Sequence, residues 1–131
     1  MLLAEGRNYT FDLDRGVVVC RVVSVKTLTM EEGAACALEK IAIFQSLAQR
    51  ADVRGLIFDL RDAPKIVGPK TEQALDAMIS AFRQAKKPLA ILVADAVQEL
   101  QQRRIAAAAM HTGVSIVTTD QALAEQHVSR T

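Results

Sequence analysis

The sequence predicts an α/β fold built on one mixed β-sheet, and three observations support this. Apolar segments that alternate or run continuously, as strands do, occur five times along the 131 residues. Segments with apolar residues at helical spacing separate the later strands, as in sheets with helical crossovers. Half of the residues are apolar and 24% are charged, which is typical of a folded chain. We predict the order β-β-α-β-α-β-α-β-α in one domain, residues 1–131, with its core at about 9–127.

The first two strands are predicted to form an antiparallel hairpin. Residues 9–13 alternate apolar and polar side chains, and residues 17–23 are rich in valine. The turn at 14–16 that separates them is too short to join parallel strands. The sheet is therefore expected to be mixed, with this hairpin first and parallel strands, joined by right-handed crossovers, after it.

Four helices and three further strands are predicted along the rest of the chain. Thr29 and Glu32 have the spacing of a capping box, so the first helix begins near Met30, and it ends around Arg50. On that helix Lys40 is expected to face water. The remaining elements are strands at 55–60, 89–93 and 114–117, a second helix from Gly68-Pro69 to 86–88, a third helix at 97–110, and a final helix capped by Thr119 or Asp120.

Composition and charge exclude several classes of function. Sixteen basic and fifteen acidic residues give a formal net charge of +1, so no nucleic-acid partner is expected. The apolar residues 1–4 are too few for a signal peptide or a membrane span, which predicts no integral membrane segment and a cytoplasmic location. Cys20 and Cys36 lack the spacing of metal ligands and are expected to be buried. No metal and no cofactor are predicted.

The sequence lacks the common catalytic motifs. It contains no GxGxxG, P-loop, HExxH or GxSxG pattern. His111 is expected in the last turn of a helix, where a cation stabilises the helix dipole, and His127 has no patterned catalytic partner. We therefore assign no catalytic residue and predict that the protein is not an enzyme.

The candidate binding surface is the loop between the strand at 55–60 and the second helix. It lies beyond the carboxyl end of a central strand, where open α/β sheets bind ligands. The free N–H groups of the following helix and two nearby lysines would attract a carboxylate or phosphate, and a solvated loop with two surface lysines is the alternative. The predicted ligand- or partner-binding residues are Asp62, Lys65, Gly68, Lys70 and Thr71.

The order of elements, the strand Leu56-Ile57-Phe58-Asp59-Leu60 and the ending at 114–123 resemble STAS domains, the family that includes anti-sigma-factor antagonists. The resemblance covers residues 9–127. In members that are phosphorylated, a serine stands at the start of the helix after the Asp-Leu strand. That position falls here on Gly68, which has no hydroxyl, and Thr71 lies about three residues further on. The chain is more similar to the SpoIIAA-like branch, which lacks the phosphorylation motif.

This resemblance implies a regulatory or protein-interaction module that is not switched by phosphorylation. The expected partner is another protein or a second copy, and a homodimer would form through the exposed edge of the hairpin or through the second helix. Binding of a small apolar or lipid-like ligand, in a pocket beneath residues 62–71, is the alternative function. A phosphorylation switch at Thr71 is a third hypothesis.

Overall fold

The protein folds around a six-stranded mixed sheet in which each strand pairs with its neighbours in sequence. The computed structural model describes residues 1–65 and 68–129. The strand order is β1-β2-β3-β4-β5-β6; β1 to β3 are antiparallel, and β3 to β6 are parallel. The predicted α/β class and mixed sheet are confirmed. The strands are β1 (Leu2–Gly6), β2 (Tyr9–Asp14), β3 (Val17–Val23), β4 (Gly55–Asp62), β5 (Leu89–Leu92) and β6 (Ser115–Thr118), and the helices are α1 (Met30–Ala48), α2 (Pro69–Ala85), α3 (Ala96–Ile105), α4 (Ala107–His111) and α5 (Gln121–Val128).

The N-terminal antiparallel unit has three strands, so the predicted two-stranded hairpin is incomplete. β1 pairs with the outer edge of β2, and the Met1 amino group donates a hydrogen bond of 2.8 Å to the Leu13 carbonyl oxygen. The short apolar run at 2–4 did not indicate a strand, since such a segment is ordered mainly by pairing with a neighbour. The edge of the predicted hairpin is therefore covered, and β1 is the edge strand.

The turn between β2 and β3 is stabilised by the segment that enters β4. Arg15 and Gly16 both have positive φ, 53° and 83°, as a tight two-residue turn requires. The Arg54 guanidinium donates to the Arg15 carbonyl at 3.0 Å, and the Arg54 N–H donates to the Gly16 carbonyl at 2.7 Å. A Cβ at Gly16 would lie 2.8 Å from Arg54 Nε, so the close approach of Arg54 also favours glycine here.

The main core lies between one face of the sheet and helices α1 to α4. Phe44 of α1 is at its centre, with its ring centroid 5.6 Å from that of Phe11, 5.0 Å from Phe58 and 5.8 Å from Phe82. Cys20 of β3 belongs to the same buried cluster, as predicted. Most of these aromatic pairs meet edge to face, which is the favoured geometry for buried rings.

Lys40 of α1 is buried, although the sequence analysis expected it to face water. The buried stripe of the helix runs through Cys36, Lys40 and Phe44, at the spacing of four residues that aligns side chains on a helix. Lys40 Nζ lies 5.8 Å from the centroid of the Tyr9 ring, and burial lowers the pKa of Lys40. Burial and a 2.8 Å hydrogen bond to Glu39 raise the pKa of Tyr9 to about 12.

Helix α5 covers part of the opposite face of the sheet. Its close approach depends on Gly55, where a Cβ would lie 2.9 Å from the Val128 carbonyl oxygen and 3.0 Å from that of Pro88. Val19, which is paired in register with Ile57 on this face, is 36% exposed, since α5 packs mainly on β4, β5 and β6. The smaller core beneath α5 consists of Ile57, Ala90, Leu92, Ala124 and Val128.

The predicted third helix is divided into α3 and α4. Ala106 lies between them with φ −90° and ψ 7°, outside the helical region. Alanine is the strongest helix former, so no residue of this stretch predicts the interruption.

Across residues 1–65 and 68–129, no helix is both long enough and apolar enough to span a membrane.

Candidate functional site

The predicted binding residues lie on an exposed stretch at the carboxyl edge of the sheet. Asp62 is the last residue of β4 and Gly68 is the N-cap of α2, with extended backbone and no side-chain cap. Lys70 and Thr71 are exposed in the first turn of that helix. Ile66 and Val67, which complete the loop, lie outside the described residues. The structure therefore places these predicted residues along one edge but does not gather them around one point.

Lys65 connects the loop to the start of α3. Its Nζ donates a 3.1 Å hydrogen bond to Asp95 Oδ2, and the other carboxylate oxygen of Asp95 accepts one of 2.9 Å from the Gln98 N–H. Asp95 is thus the N-cap of α3 and the partner of the loop lysine at the same time. The backbone hydrogen bond from Gln98 and the side-chain one from Lys65 lower the pKa of Asp95.

Asp62 adjoins a buried carboxylate on the same strand. The side chain of Asp59 is 5% exposed, and its two oxygens accept hydrogen bonds from Arg61 Nε at 3.0 Å and Arg61 Nη2 at 2.9 Å. The guanidinium of Arg21 lies 3.7 Å from Asp59 and 3.8 Å from Asp62. Two carboxylates and two guanidiniums therefore form one network of balanced charge.

The network keeps the Asp59 carboxylate ionised and hydrogen-bonded. Burial alone raises the pKa of Asp59, but the hydrogen bonds from Arg61 and the charges of Arg61 and Arg21 outweigh it, and the net effect lowers the pKa. The sequence predicts the end of this strand at residue 60, just after Asp59, whereas β4 continues to Asp62 and provides the arginine partner. A carboxylate held in this way stabilises the sheet edge and is poorly suited to proton transfer near neutral pH.

Helix α3 directs apolar side chains outward and glutamine side chains inward. Val97 and Leu100 are 81% and 73% exposed, whereas Gln98 and Gln102 are buried. An amphipathic surface helix normally has the opposite arrangement. The sequence predicts this helix but not which of its faces is buried. The contrast between the apolar pair and the two glutamines was the signal that could have revealed it.

The orientation of α3 is fixed at both ends. The side chain of Gln98 accepts a 2.7 Å hydrogen bond from the Ala94 N–H and donates one of 2.7 Å to the Leu60 carbonyl oxygen, which ties the start of the helix to β4. Near the other end, Arg104 forms an ion pair with Glu72 in the first turn of α2. Rotation of α3 that turned its apolar residues inward would break these contacts.

The outward side of α3 is open and shallow. We define the α3 surface as the residues Val97, Leu100, Gln101, Arg103 and Arg104. A concavity of about 300 Å³ lies on the far face of the sheet and is lined in part by Val17, Arg54 and Val128. Neither is lined by described residues of 62–71, and the apolar ligand pocket beneath that loop stays a prediction because Ile66 and Val67 lie outside the described residues.

The two histidines occupy structural positions. His111 lies in the last turn of α4, as predicted, and His127 Nε2 lies 2.9 Å from the Val114 carbonyl oxygen. Within the described ranges, no group of three or more histidine, cysteine, aspartate or glutamate side chains is arranged to hold a metal ion.

Comparisons with known proteins give one distant structural likeness. No family model matches the chain, and no curated protein matches it. A crystal structure described as an enoyl-CoA hydratase/isomerase from Acinetobacter baumannii is similar over 73% of this chain, with 16% sequence identity and a TM-score of 0.44. The chain spans 46% of the length of that protein. At this level the likeness does not carry the activity of that protein to this chain.

The predicted membership of the STAS family, including its SpoIIAA-like branch, is wrong. No family model matches the chain, and the solved structure named above is not described as a STAS domain. The resemblance depended on the order of strands and helices, which many open α/β sheets share because short connections place sequential strands side by side. The pattern also missed β1, and the phosphorylated serine of that family is replaced by Gly68.

Proposed function

We propose that this protein is a non-catalytic protein-interaction module that uses the α3 surface together with the adjoining 62–71 loop. The observation that supports the proposal most is the exposure of Val97 and Leu100 on a helix whose buried face carries glutamines. Burying a valine or leucine side chain away from water contributes roughly 1.5–3 kcal/mol of favourable free energy. A partner that covers both residues would gain this contribution without any rearrangement of the helix.

The pair on α3 differs from the exposed apolar residues of α1. Met30 and Leu38 are also exposed, but single apolar side chains on a surface are ordinary. Val97 and Leu100 share the α3 surface with two arginines, and arginine is enriched in protein interfaces. This combination favours protein recognition over a chance exposure.

Charged groups around the surface favour recognition over chemistry. Lys65 and Arg104 each pair with a carboxylate, and such exposed pairs are readily exchanged for pairs with a partner. The sequence contains none of the common catalytic motifs, which is why we propose a non-catalytic role. Phosphorylation has no part in the proposal.

Affinity capture from a lysate of the cells that make the protein tests this function. The baits are the natural chain, Leu100→Glu and the control Leu38→Glu, which changes an exposed leucine on another helix. We expect the natural chain and Leu38→Glu to recover the same protein, and Leu100→Glu to recover at least about tenfold less. Recovery that is equal for all three baits, or absent for all, would contradict the proposal.

A charge variant tests whether the loop takes part. Lys65→Glu should reduce the affinity by up to about fivefold, since an exposed ion pair contributes at most about 1 kcal/mol. Lys86→Glu, which is exposed at the opposite end of α2 from the loop, provides the matched control. Thermal unfolding of each variant separates lost binding from lost folding, and unchanged melting is expected because all of these side chains are exposed.

A further inference from the structure

The α3 surface carries positive charge beside its apolar pair. Arg103 and Arg104 follow Leu100 by three and four residues, the spacings at which side chains are neighbours on a helix. Among the residues that define the surface, these two arginines are charged and none is acidic. Glu99 lies next to Leu100 in sequence and therefore about 100° away around the helix. The exposed side of α3 is thus an apolar patch followed by a basic one.

Both guanidiniums have donors left for a partner, since an arginine carries five N–H donors. Within the described residues, Arg103 makes only long contacts, with Nη2 3.3 Å from the Val117 carbonyl oxygen and Nε 3.7 Å from Glu99 Oε1. Arg104 pairs with Glu72 through Nη2, and its side chain is 65% exposed. A carboxylate from outside the chain can therefore bind either guanidinium without displacing Glu99 or Glu72.

We propose that the partner of the α3 surface binds through an acidic segment, a stretch of polypeptide whose apolar side chains cover Val97 and Leu100 and whose carboxylates bind Arg103 and Arg104. This inference rests on the proposed function and names the chemistry of its partner. Arginine binds a carboxylate through two parallel hydrogen bonds, which fix the orientation of the partner as well as adding affinity. A partner with basic residues at the same place would meet like charges.

The length of the surface predicts the spacing of residues in the partner. Leu100 and Arg104 are about 6 Å apart along the helix axis, and Val97 and Arg104 about 10 Å. An extended chain covers about 3.3 Å per residue, and a helix covers about 5.4 Å per turn. The Asp or Glu of the acidic segment should therefore lie about two to four positions from its apolar residue.

A protein segment fits this surface better than a lipid membrane does. A helix that lies in the plane of a membrane inserts a broad apolar face. The exposed apolar side chains of α3 are Val97 and Leu100, and Gln98 ties the helix to β4. The formal net charge of +1 gives little long-range attraction to an anionic membrane. A lipid surface is nevertheless included as an outcome of the test.

Selection from a library of short random peptides displayed on phage tests the inference. The natural full chain is the bait, and Leu100→Gln, which leaves the charge unchanged, removes peptides that bind elsewhere. We expect the enriched peptides to share an apolar residue with Asp or Glu about two to four positions away. Enriched peptides that lack acidic residues, or no enrichment over Leu100→Gln, would overturn the inference.

The affinity of the most enriched peptide, measured by fluorescence polarisation, tests the role of the arginines. Arg103→Gln/Arg104→Gln should bind it at least about tenfold more weakly, and Arg103→Lys/Arg104→Lys should keep part of the affinity because the charge remains. The control Lys86→Gln removes an exposed charge about 21 Å along α2 from Glu72, the partner of Arg104, and should bind like the natural chain. Equal affinity of the glutamine double variant and the natural chain would overturn the inference.

Vesicles made of equal parts phosphatidylcholine and phosphatidylserine provide the competing surface. The natural chain should stay in solution when the vesicles are sedimented. Sedimentation of the natural chain with the vesicles, if it is lost in Arg103→Gln/Arg104→Gln, would overturn the inference in favour of a lipid surface. Thermal unfolding of each variant shows that it is folded, and unchanged melting is expected because both arginine side chains are largely exposed.

The two proposals fail separately. If the protein captured from the lysate requires Leu100 but binds Arg103→Gln/Arg104→Gln as it binds the natural chain, the acidic segment falls and the interaction function stands. If substitution of Leu100 changes neither capture nor peptide binding, both fall.

Discussion

Arg61 and Asp59 form a two-pronged ion pair within a single strand, and Arg50 and Asp52 repeat its geometry at the surface. The Nε–Oδ1 and Nη2–Oδ2 distances are 3.0 and 2.9 Å for the first pair, and 2.9 and 2.6 Å for the second. The residues are two apart in both cases. The carboxylate of Asp59 is 5% exposed and that of Asp52 is 55% exposed. The chain therefore contains its own control for the effect of burial on an ion pair.

The first prediction compares removal of the two arginines. Arg61→Ala should lower the free energy of unfolding by about 1–3 kcal/mol, because a buried carboxylate loses two charged hydrogen bonds and keeps the backbone N–H of residue 61 and the more distant Arg21. Arg50→Ala should have no measurable effect, since water replaces its contacts. Urea unfolding measures both variants. Equal losses would show that burial of Asp59 does not set the strength of the pair.

The second prediction concerns the dependence of stability on pH. The pKa of Asp59 is lower in the folded chain than the value near 3.9 of an unfolded one. Its contribution to stability is therefore complete above about pH 4 and is lost as the pH falls through the folded pKa. Asp59→Asn should lose less stability than the natural chain between about pH 5 and pH 3.

Urea midpoints at several pH values measure this difference. The natural chain and Asp52→Asn should show comparable pH dependence, because the Arg50–Asp52 pair is exposed and contributes little to stability. Asp59→Asn should show a shallower pH dependence. Parallel curves for the natural chain and Asp59→Asn would contradict the assignment of a lowered pKa to Asp59.

The third prediction contrasts the two buried glutamines of α3. Gln98→Leu should reduce stability by about 1–3 kcal/mol, because the Leu60 carbonyl and the Ala94 N–H lose their partner. Gln102 Oε1 is buried and has no hydrogen-bond partner among residues 1–65 and 68–129. Gln102→Leu should therefore leave stability unchanged or raise it. Thermal unfolding of both variants gives the comparison, and a larger loss for Gln102→Leu would be the opposite of our expectation.

The fourth prediction concerns the contact between α5 and β4. Gly55→Ala should reduce stability by about 1–3 kcal/mol, because its Cβ would press against the Val128 carbonyl at 2.9 Å. Gly33→Ala in α1 should instead be neutral or stabilising by up to about 1 kcal/mol, as its Cβ meets only Leu28 at 3.9 Å. Chemical unfolding of the two variants tests this, and equal stability would show that α5 adjusts freely.

Local patterns predicted most of the fold. The capping box of Thr29 and Glu32 located the start of α1, and Gly68-Pro69 located the start of α2, because capping depends on residues close in sequence. The same holds for Val17–Val23, where β-branched residues follow a tight turn. Features that depend on distant contacts were not predicted. β1 is ordered by pairing with β2, and Lys40 lies in the buried stripe of α1, near Tyr9 of β2.

The candidate site was predictable only in part. The carboxyl edge of the sheet follows from the parallel strands, and Asp62 and Lys65 do lie there. The neighbouring α3 surface was missed because periodicity shows which residues share a helix face, but not whether that face turns inward. For α3 the outcome is decided by the hydrogen bond from Gln98 to Leu60, 38 residues away in sequence.

The most direct test of the interaction surface is the rate at which a thiol reagent labels Leu100→Cys. The natural cysteines, Cys20 and Cys36, are buried and should react slowly. We predict that the introduced thiol at position 100 is protected when the chain is placed in the lysate of its own cells, whereas the control Leu38→Cys is labelled at a constant rate. Equal labelling of the two positions under all conditions would contradict the account.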